Sequence, residues 1–288
     1  MKKIVSLSSL TSPGLPAGKL IRFVLRVVAA ALLAVCASPH IYSQDLDSDP
    51  EAYKLRVAGQ FWYATPIASI AGSSSEGQIS FNRDFGFDEY STFNAGLDWH
   101  FKRKHHLFFL VSPNQSSQEA VLQRTITFRD QTFEAGSSIN AELRTYSFAP
   151  GYRYDIIHRA HGHLGIIAQI NFLDIKATIT AIALQPGQVT VSSASGSVFA
   201  PLPVFGPDGR AYFLRNHLFV DGNIKGMYLF GYGNFISTQG SAGARLGSHI
   251  NLAGGYEMGS RLAINGTSDR LNVRLTQRGP TGGMEFNF

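Results

Sequence analysis

The chain has 288 residues, of which 44% are hydrophobic and 12% aromatic, with one cysteine and a formal net charge of +5. Five of its 25 Lys+Arg and none of its 20 Asp+Glu lie in the first 43 residues, so the remainder carries 20 of each and is near neutral. That balance removes the inference from a basic chain to a nucleic-acid partner, and the lone cysteine, Cys36, leaves everything after it without disulfide or thiolate-metal chemistry.

Lys2, Lys3, Lys19, Arg22 and Arg26 precede and flank an apolar stretch, Val27 to Ala37 (VVAAALLAVCA), with no acidic residue nearby. This pattern reads as a secretory signal peptide over residues 1–43, cleaved somewhere from Ala37 to Ser43. The stretch is short of the roughly 20 apolar residues that a spanning helix needs. Val35 stands where a lipoprotein signal would carry a smaller residue, so lipidation of Cys36 is not expected. Residues 44–52 form a polar tail, and 53–288 are expected to fold as one domain without a repeat longer than a hairpin.

From Tyr53 onward the dominant period is two. Tyr53 to Thr65 sets Leu55, Val57, Gly59, Phe61 and Tyr63 against Lys54, Arg56, Ala58 and Gln60. Asp88 to Phe101 opposes Phe93, Ala95, Leu97 and Trp99 to Asn94, Asp98 and His100. A basic turn at Lys102 to Lys104 leads into His105 to Val111, which continues through Gln118 to Phe128. The next strand carries Ile139, Ala141 and Leu143 against Glu142 and Arg144, runs toward Tyr154, and ends in a second basic turn at His158 to His163. Leu164 to Ala181 follows, then an expected loop of small residues at Gln185 to Ser197, a strand at Ala200 to Gly206 and a turn at Pro207-Asp208-Gly209. His217 to Phe230, Asn234 to Leu246 and Ile250 to Leu262 repeat the alternation, with Asp221, Lys225, Arg245, Glu257 and Arg261 on their polar sides. The last segment opposes Leu271, Val273 and Leu275 to Asn272, Arg274 and Thr276. Between Leu275 and Met284 the oily side moves from odd to even positions, which calls for a bulge, or else a turn, near Gly279-Pro280.

The final nine residues, PTGGMEFNF, place Met284, Phe286 and Phe288 on one side of an extended strand. A tilted strand of about 9 to 11 residues crosses a bilayer, provided that its lipid side is apolar at every second position. On these residues and the export signal, the chain resembles the outer-membrane β-barrel proteins of Gram-negative bacteria. The segments APLPVFG and RGPTGGMEFNF look like those of small barrels from environmental bacteria, a group with no activity to carry over. The resemblance implies an all-β, antiparallel up-and-down transmembrane barrel in the cell outer membrane. It also implies lipid and lipopolysaccharide as surroundings, and an assembly machinery that reads Met284, Phe286 and Phe288 as its signal. Treating Gly279-Pro280 as a bulge gives about ten strands, with eight or twelve as alternatives, and puts both termini in the periplasm. The long loops at Pro66 to Phe87 and Gln185 to Ser197, and the short one at Asn265 to Asp269, then fall outside the cell. A monomer is expected.

The polar sides of these strands hold Lys54, Arg56, Asp98, Glu142, Arg144, Asp221, Lys225, Arg245, Glu257, Arg261 and Arg274. A barrel of this size is nearly filled by its own side chains, and charges kept from water must be paired. These residues are therefore expected to form a salt-bridged plug, which makes a structural or surface-interaction role the first reading. A narrow passive channel for small solutes is the alternative, preferring anions because basic residues predominate in the set. A hydrolase ranks third. No Ser follows a His at the spacing of phospholipase-like barrels, and GYG at Gly231 to Gly233 and GARLG at Gly243 to Gly247 open no helix that could hold a phosphate. His100, His105 and His106 fall in one expected periplasmic turn and His158, His161 and His163 in another, where they read as solvated groups beside anionic headgroups. His161-Gly162-His163 lacks partners at metal-ligand spacing, so neither a metal nor another cofactor is expected.

Overall fold

The computed structural model describes residues 49–71, 78–128, 131–185, 188–230, 233–265 and 272–288. The expected signal peptide, residues 1–43, and the segments 72–77 and 266–271 lie outside the described residues. Along the chain come β1 (Leu55–Ala71), β2 (Ile79–Ser80), a short helix α1 (Phe81–Phe85), β3 (Tyr90–Lys102) and β4 (His105–Val121). Then follow β5 (Ile126–Phe128), β6 (Gln131–Phe133), β7 (Ser138–Arg159), β8 (Gly162–Gln185) and β9 (Gln188–Phe213). The last four are β10 (Leu218–Leu229), β11 (Gly233–Arg245), β12 (Ile250–Asn265) and β13 (Asn272–Asn287).

Ten long strands pair with their neighbours in antiparallel order, and β13 returns to β1, from Arg56↔Asn287 to Ala71↔Asn272. The result is a closed up-and-down barrel of ten strands, as the alternation predicted. Closure leaves no edge, so the backbone groups of a strand buried in hydrocarbon find their partners within the wall. Phe288 is stitched to the first strand: its carbonyl accepts from Lys54 and Leu55 at 2.6 and 3.0 Å, and its N–H donates to Leu55. Four tight connections share the end that holds the termini, and the longer insertions lie at the opposite, far end.

The structure departs from the sequence reading at several points along the wall. Gln188 to Ser197 is wall, not loop: Ser193, Ser195 and Ser197 alternate with Ala194 and Val198, and the stretch pairs residue by residue with β8. Pro207-Asp208-Gly209 is likewise mid-strand, and the true turn is at Leu214, Arg215 and Asn216, all at positive φ. The stretch after Val121 leaves the barrel and makes a small hairpin, β5–β6. Local turn chemistry was outweighed by the neighbouring ladder, which satisfies backbone groups over 24 and 26 residues of β8 and β9.

β13 runs unbroken past Gly279-Pro280 in constant register with β1, so no bulge sits there. The irregularity is on β12, between Glu257 and Ser260, where one extra residue is absorbed. Gly279 serves a different need: a Cβ at that position would stand 1.8 Å from the carbonyl oxygen of Tyr63 on β1. The oily side changes parity because the strand's surroundings change along its length. Near the carboxy terminus Met284 and Phe286 alternate with the inward Glu285 and Asn287. Further along, the inward side is itself apolar, with Val273 and Leu275 buried.

Candidate functional site

Three layers fill the barrel. At the terminal end lies an ionic floor. Arg56 reaches Glu51 at 3.6 Å and Glu285 at 3.7 Å, donates to Asn287 Oδ1 at 2.8 Å, and stacks over Tyr53. Arg153 reaches Asp98, Asp155 and Asp208 at 3.5, 3.0 and 3.4 Å. Arg210 grips both oxygens of Glu285 at 2.6 and 2.7 Å and Asp221 at 3.0 Å. Two histidines bind the carboxylates together. His106 spans Asp98 and Asp155, one ring nitrogen 3.1 Å from each. His163 spans Glu51 and Asp208, also at 3.1 Å each.

Glu51 enters this floor from the segment ahead of β1 and is fully buried, with Tyr212 donating to it at 2.7 Å. Burial alone would raise its carboxyl. The Arg56 guanidinium and the His163 contact hold it instead well below the usual carboxylate range.

Of the predicted set, Arg56, Asp98 and Asp221 stand in the floor. Arg245 is buried at its margin and donates to the carbonyl of Asn216 at 3.3 Å. Lys225 and Glu257 line a cavity above it. Lys54 is exposed ahead of β1, outside the network. Glu142, Arg144 and Arg274 occupy the outward parity of β7 and β13, because at their level the inward positions belong to Ile139, Ala141, Leu143, Val273 and Leu275. Arg261 pairs with Ile236 and Thr276, and its side chain lies outside the described residues. Met284 faces outward, and Phe288 stacks on His249 with ring centroids 6.5 Å apart.

The histidine reading is corrected. His106 is 0% exposed and His163 7%, inside the lumen rather than in solvated turns. His100 stacks on His106 at 4.0 Å. The sequence reading also passed over Glu51, Arg153, Asp155, Asp208, Arg210 and Glu285. The signal that could have found them was the position of charged residues within a tilted strand's length from the termini, whatever face they appeared to share with apolar neighbours. Among the described residues no group of His, Cys, Asp or Glu is arranged to hold a metal ion. At His106 the reason is visible: both ring nitrogens face carboxylates, and the Arg153 guanidinium lies 3.0 and 3.1 Å from them, where a cation would be repelled.

The far end is closed by an apolar cap. Phe81, Phe85 and Phe87 around α1, and Leu122, Ile126, Phe128 and Phe133 around β5–β6, pack on Ile139, Ile175, Ile179, Leu262 and Leu275 of the wall. Ser80 caps α1, and Gly86 ends it at φ 68°. Asn82 ties the segment to β1, donating to the Pro66 carbonyl and accepting from the Ala68 N–H. Asp84 joins the two parts of the cap: Arg124 donates to it at 2.7 and 3.0 Å and the Ser80 N–H at 2.9 Å. Burial would raise this carboxyl, and the bonds from Arg124, Ser80 and Arg83 outweigh it, bringing it to about 2. Between floor and cap remains a cavity of about 230 Å³.

No protein-family model matches the chain, and no curated protein matches it in sequence. Solved structures share its fold. The outer membrane protease OmpT of Escherichia coli superposes with a TM-score of 0.55 at 9% identity, covering 87% of this chain and 100% of that one. The translocator domain of the autotransporter NalP from Neisseria meningitidis gives 0.44 at 12% identity over 92% and 96%. The superposition on OmpT, with the closed ten-strand wall, gives the architecture of an outer-membrane β-barrel.

Proposed function

We propose that the chain is a monomeric, integral outer-membrane barrel that acts as a structural or surface-interaction component, neither an enzyme nor an open pore. The observation that carries this reading is the double seal: paired arginines, carboxylates and histidines across one end, and packed apolar side chains across the other. The outward faces agree with a lipid setting. Phe61, Phe93, Phe109, Ile166, Phe205, Val220, Ile224, Leu252 and Met284 are large, apolar and exposed, as side chains on a hydrocarbon-facing surface are. The outward Glu142, Arg144 and Arg274 support a reading in which the far half of the wall stands in water, outside the cell, where partners or lipopolysaccharide sugars would meet it. The terminal strand, with Met284, Phe286 and Phe288, would be the part read by the barrel assembly machinery.

The reading is tested in planar bilayers. Protein refolded from its mature form should give no steady single-channel steps, and reproducible ohmic conductance would favour the narrow channel instead.

A further inference from the structure

The wall has a weak seam beside the cavity. The ladder between β3 and β4 runs from Lys102↔His105 to Ala95↔Val111 and stops, although β3 continues to Tyr90 and β4 to Val121. Past that point two side-chain bonds replace it. Ser112 Oγ donates to Asn94 Oδ1 at 2.6 Å, and Thr92 Oγ1 donates to the carbonyl of Pro113. Pro113 has no N–H with which to extend the ladder. On the outside, the seam lies between the Phe61–Phe93 ring pair and the exposed Ser91 and Gln115. A barrel's exterior changes from apolar to polar at the membrane interface.

Behind the seam two buried donors face the cavity. Trp62 is 5% exposed and Asn114 7%, and among the described residues neither Trp62 Nε1 nor Asn114 Nδ2 has a hydrogen-bond partner. Trp62 pairs with Thr92, and continuing the β3–β4 register sets Thr92 opposite Asn114, so the donors flank one point of the seam. Lys225 also lines the cavity. Its hydrogen bond among the described residues goes to Gln169 Oε1 at 3.4 Å, and no described carboxylate is within ion-pair distance. Glu257, on the same wall, accepts from Ser237. Leu202, Leu262 and Leu275 supply an apolar side. Unpartnered donors and an ammonium favour an anionic acceptor, and the leucines favour a hydrocarbon body. The volume holds about a dozen non-hydrogen atoms at ordinary packing.

We propose that this chamber binds a small carboxylate amphiphile, the size of an eight-carbon fatty acid, admitted sideways from the membrane interface through the β3–β4 seam. Its carboxylate is held by Trp62 and Asn114 in the field of Lys225, and its chain lies along Leu202, Leu262 and Leu275.

The experiment uses the full chain, exported and purified in dodecyl maltoside micelles, with Trp99→Phe leaving Trp62 as the single indole. Titrated octanoate should change Trp62 fluorescence saturably, and octan-1-ol should bind at least tenfold more weakly. Lys225→Met, with Lys225→Gln as a second form in case the first does not fold, should weaken octanoate at least tenfold and leave octan-1-ol unchanged. Heat-modifiable gel mobility establishes that each variant is folded. A disulfide between Asn94→Cys and Ser112→Cys should slow octanoate entry at least tenfold, reversibly on reduction, without changing its affinity. A linear, unsaturable response, or equal octanoate binding by the folded Lys225 variants, overturns the site. Unaltered entry through the locked seam overturns the sideways route.

Discussion

Each guanidinium of the floor faces more than one carboxylate, so no single charge can be removed without stranding another. Arg153 is the extreme case, with three aspartates in reach. Arg153→Met should destabilise the barrel by about 3 to 5 kcal/mol, the usual effect of unpairing a buried charge. The check is a lower temperature for the loss of heat-modifiable mobility, and a variant melting with the parent would contradict the burial assigned here. A second prediction concerns Asp84 in the cap. Its depressed pKa, about 2, means that its stabilisation is complete above the ordinary carboxylate value near 4 and is lost as pH falls through about 2. Proteolysis between Gln78 and Phe87 should therefore stay constant from pH 8 to 5 in the parent, whereas Asp84→Asn should be cut faster throughout that range. At this scale the sequence revealed Arg56, Asp98 and Asp221, because each stands on the polar side of a clean alternation. It concealed Arg153, which shares odd parity with Ile139, Ala141 and Leu143. All four point inward, the first into the floor and the others into the cap.

The same change of medium along one inward face governs whole strands. Period-two patterning tells which residues share a side and not which side is lipid, so β7 and the start of β13 were assigned inside out while β1, β10 and the end of β13 were assigned correctly. A direct test compares neighbours on β13. Arg274→Cys should react quickly with a membrane-impermeant maleimide added to intact cells, and Leu275→Cys should not react until the protein is denatured. Equal labelling would mean that the parity is misassigned. β9 shows a second control at this scale. Its ladder with β8 continues through Pro201, Pro203 and Pro207, whereas its ladder with β10 lapses at Pro207 and ends at Phe205↔Gly226. The missing N–H groups are thereby spent on the side where pairing stops.

At the scale of the whole barrel, strands of 22, 24 and 26 residues exceed the 9 to 11 that a bilayer requires. Half or more of β7, β8 and β9 therefore stands clear of hydrocarbon, which is why their outward sides accept Glu142, Arg144, Asp174 and Lys176. Strand number and closure were legible in the sequence, since hairpin rhythm and aromatic alternation are local signals. The cap was not, because α1 and β5–β6 are short segments whose apolar side chains find partners on strands distant in sequence.

The pairing of β1 with β13 joins the two extremes of the folded chain, 231 residues apart between Arg56 and Asn287. No product that lacks β13 can make that joint. A polypeptide halted before Asn272 would lack β13 and keep two unsatisfied borders in a medium that offers them no water, so the cylinder can be sealed only after the whole chain has been made and delivered. An affinity tag appended after Phe288 would emerge at that suture, beside Lys54, and is better placed elsewhere.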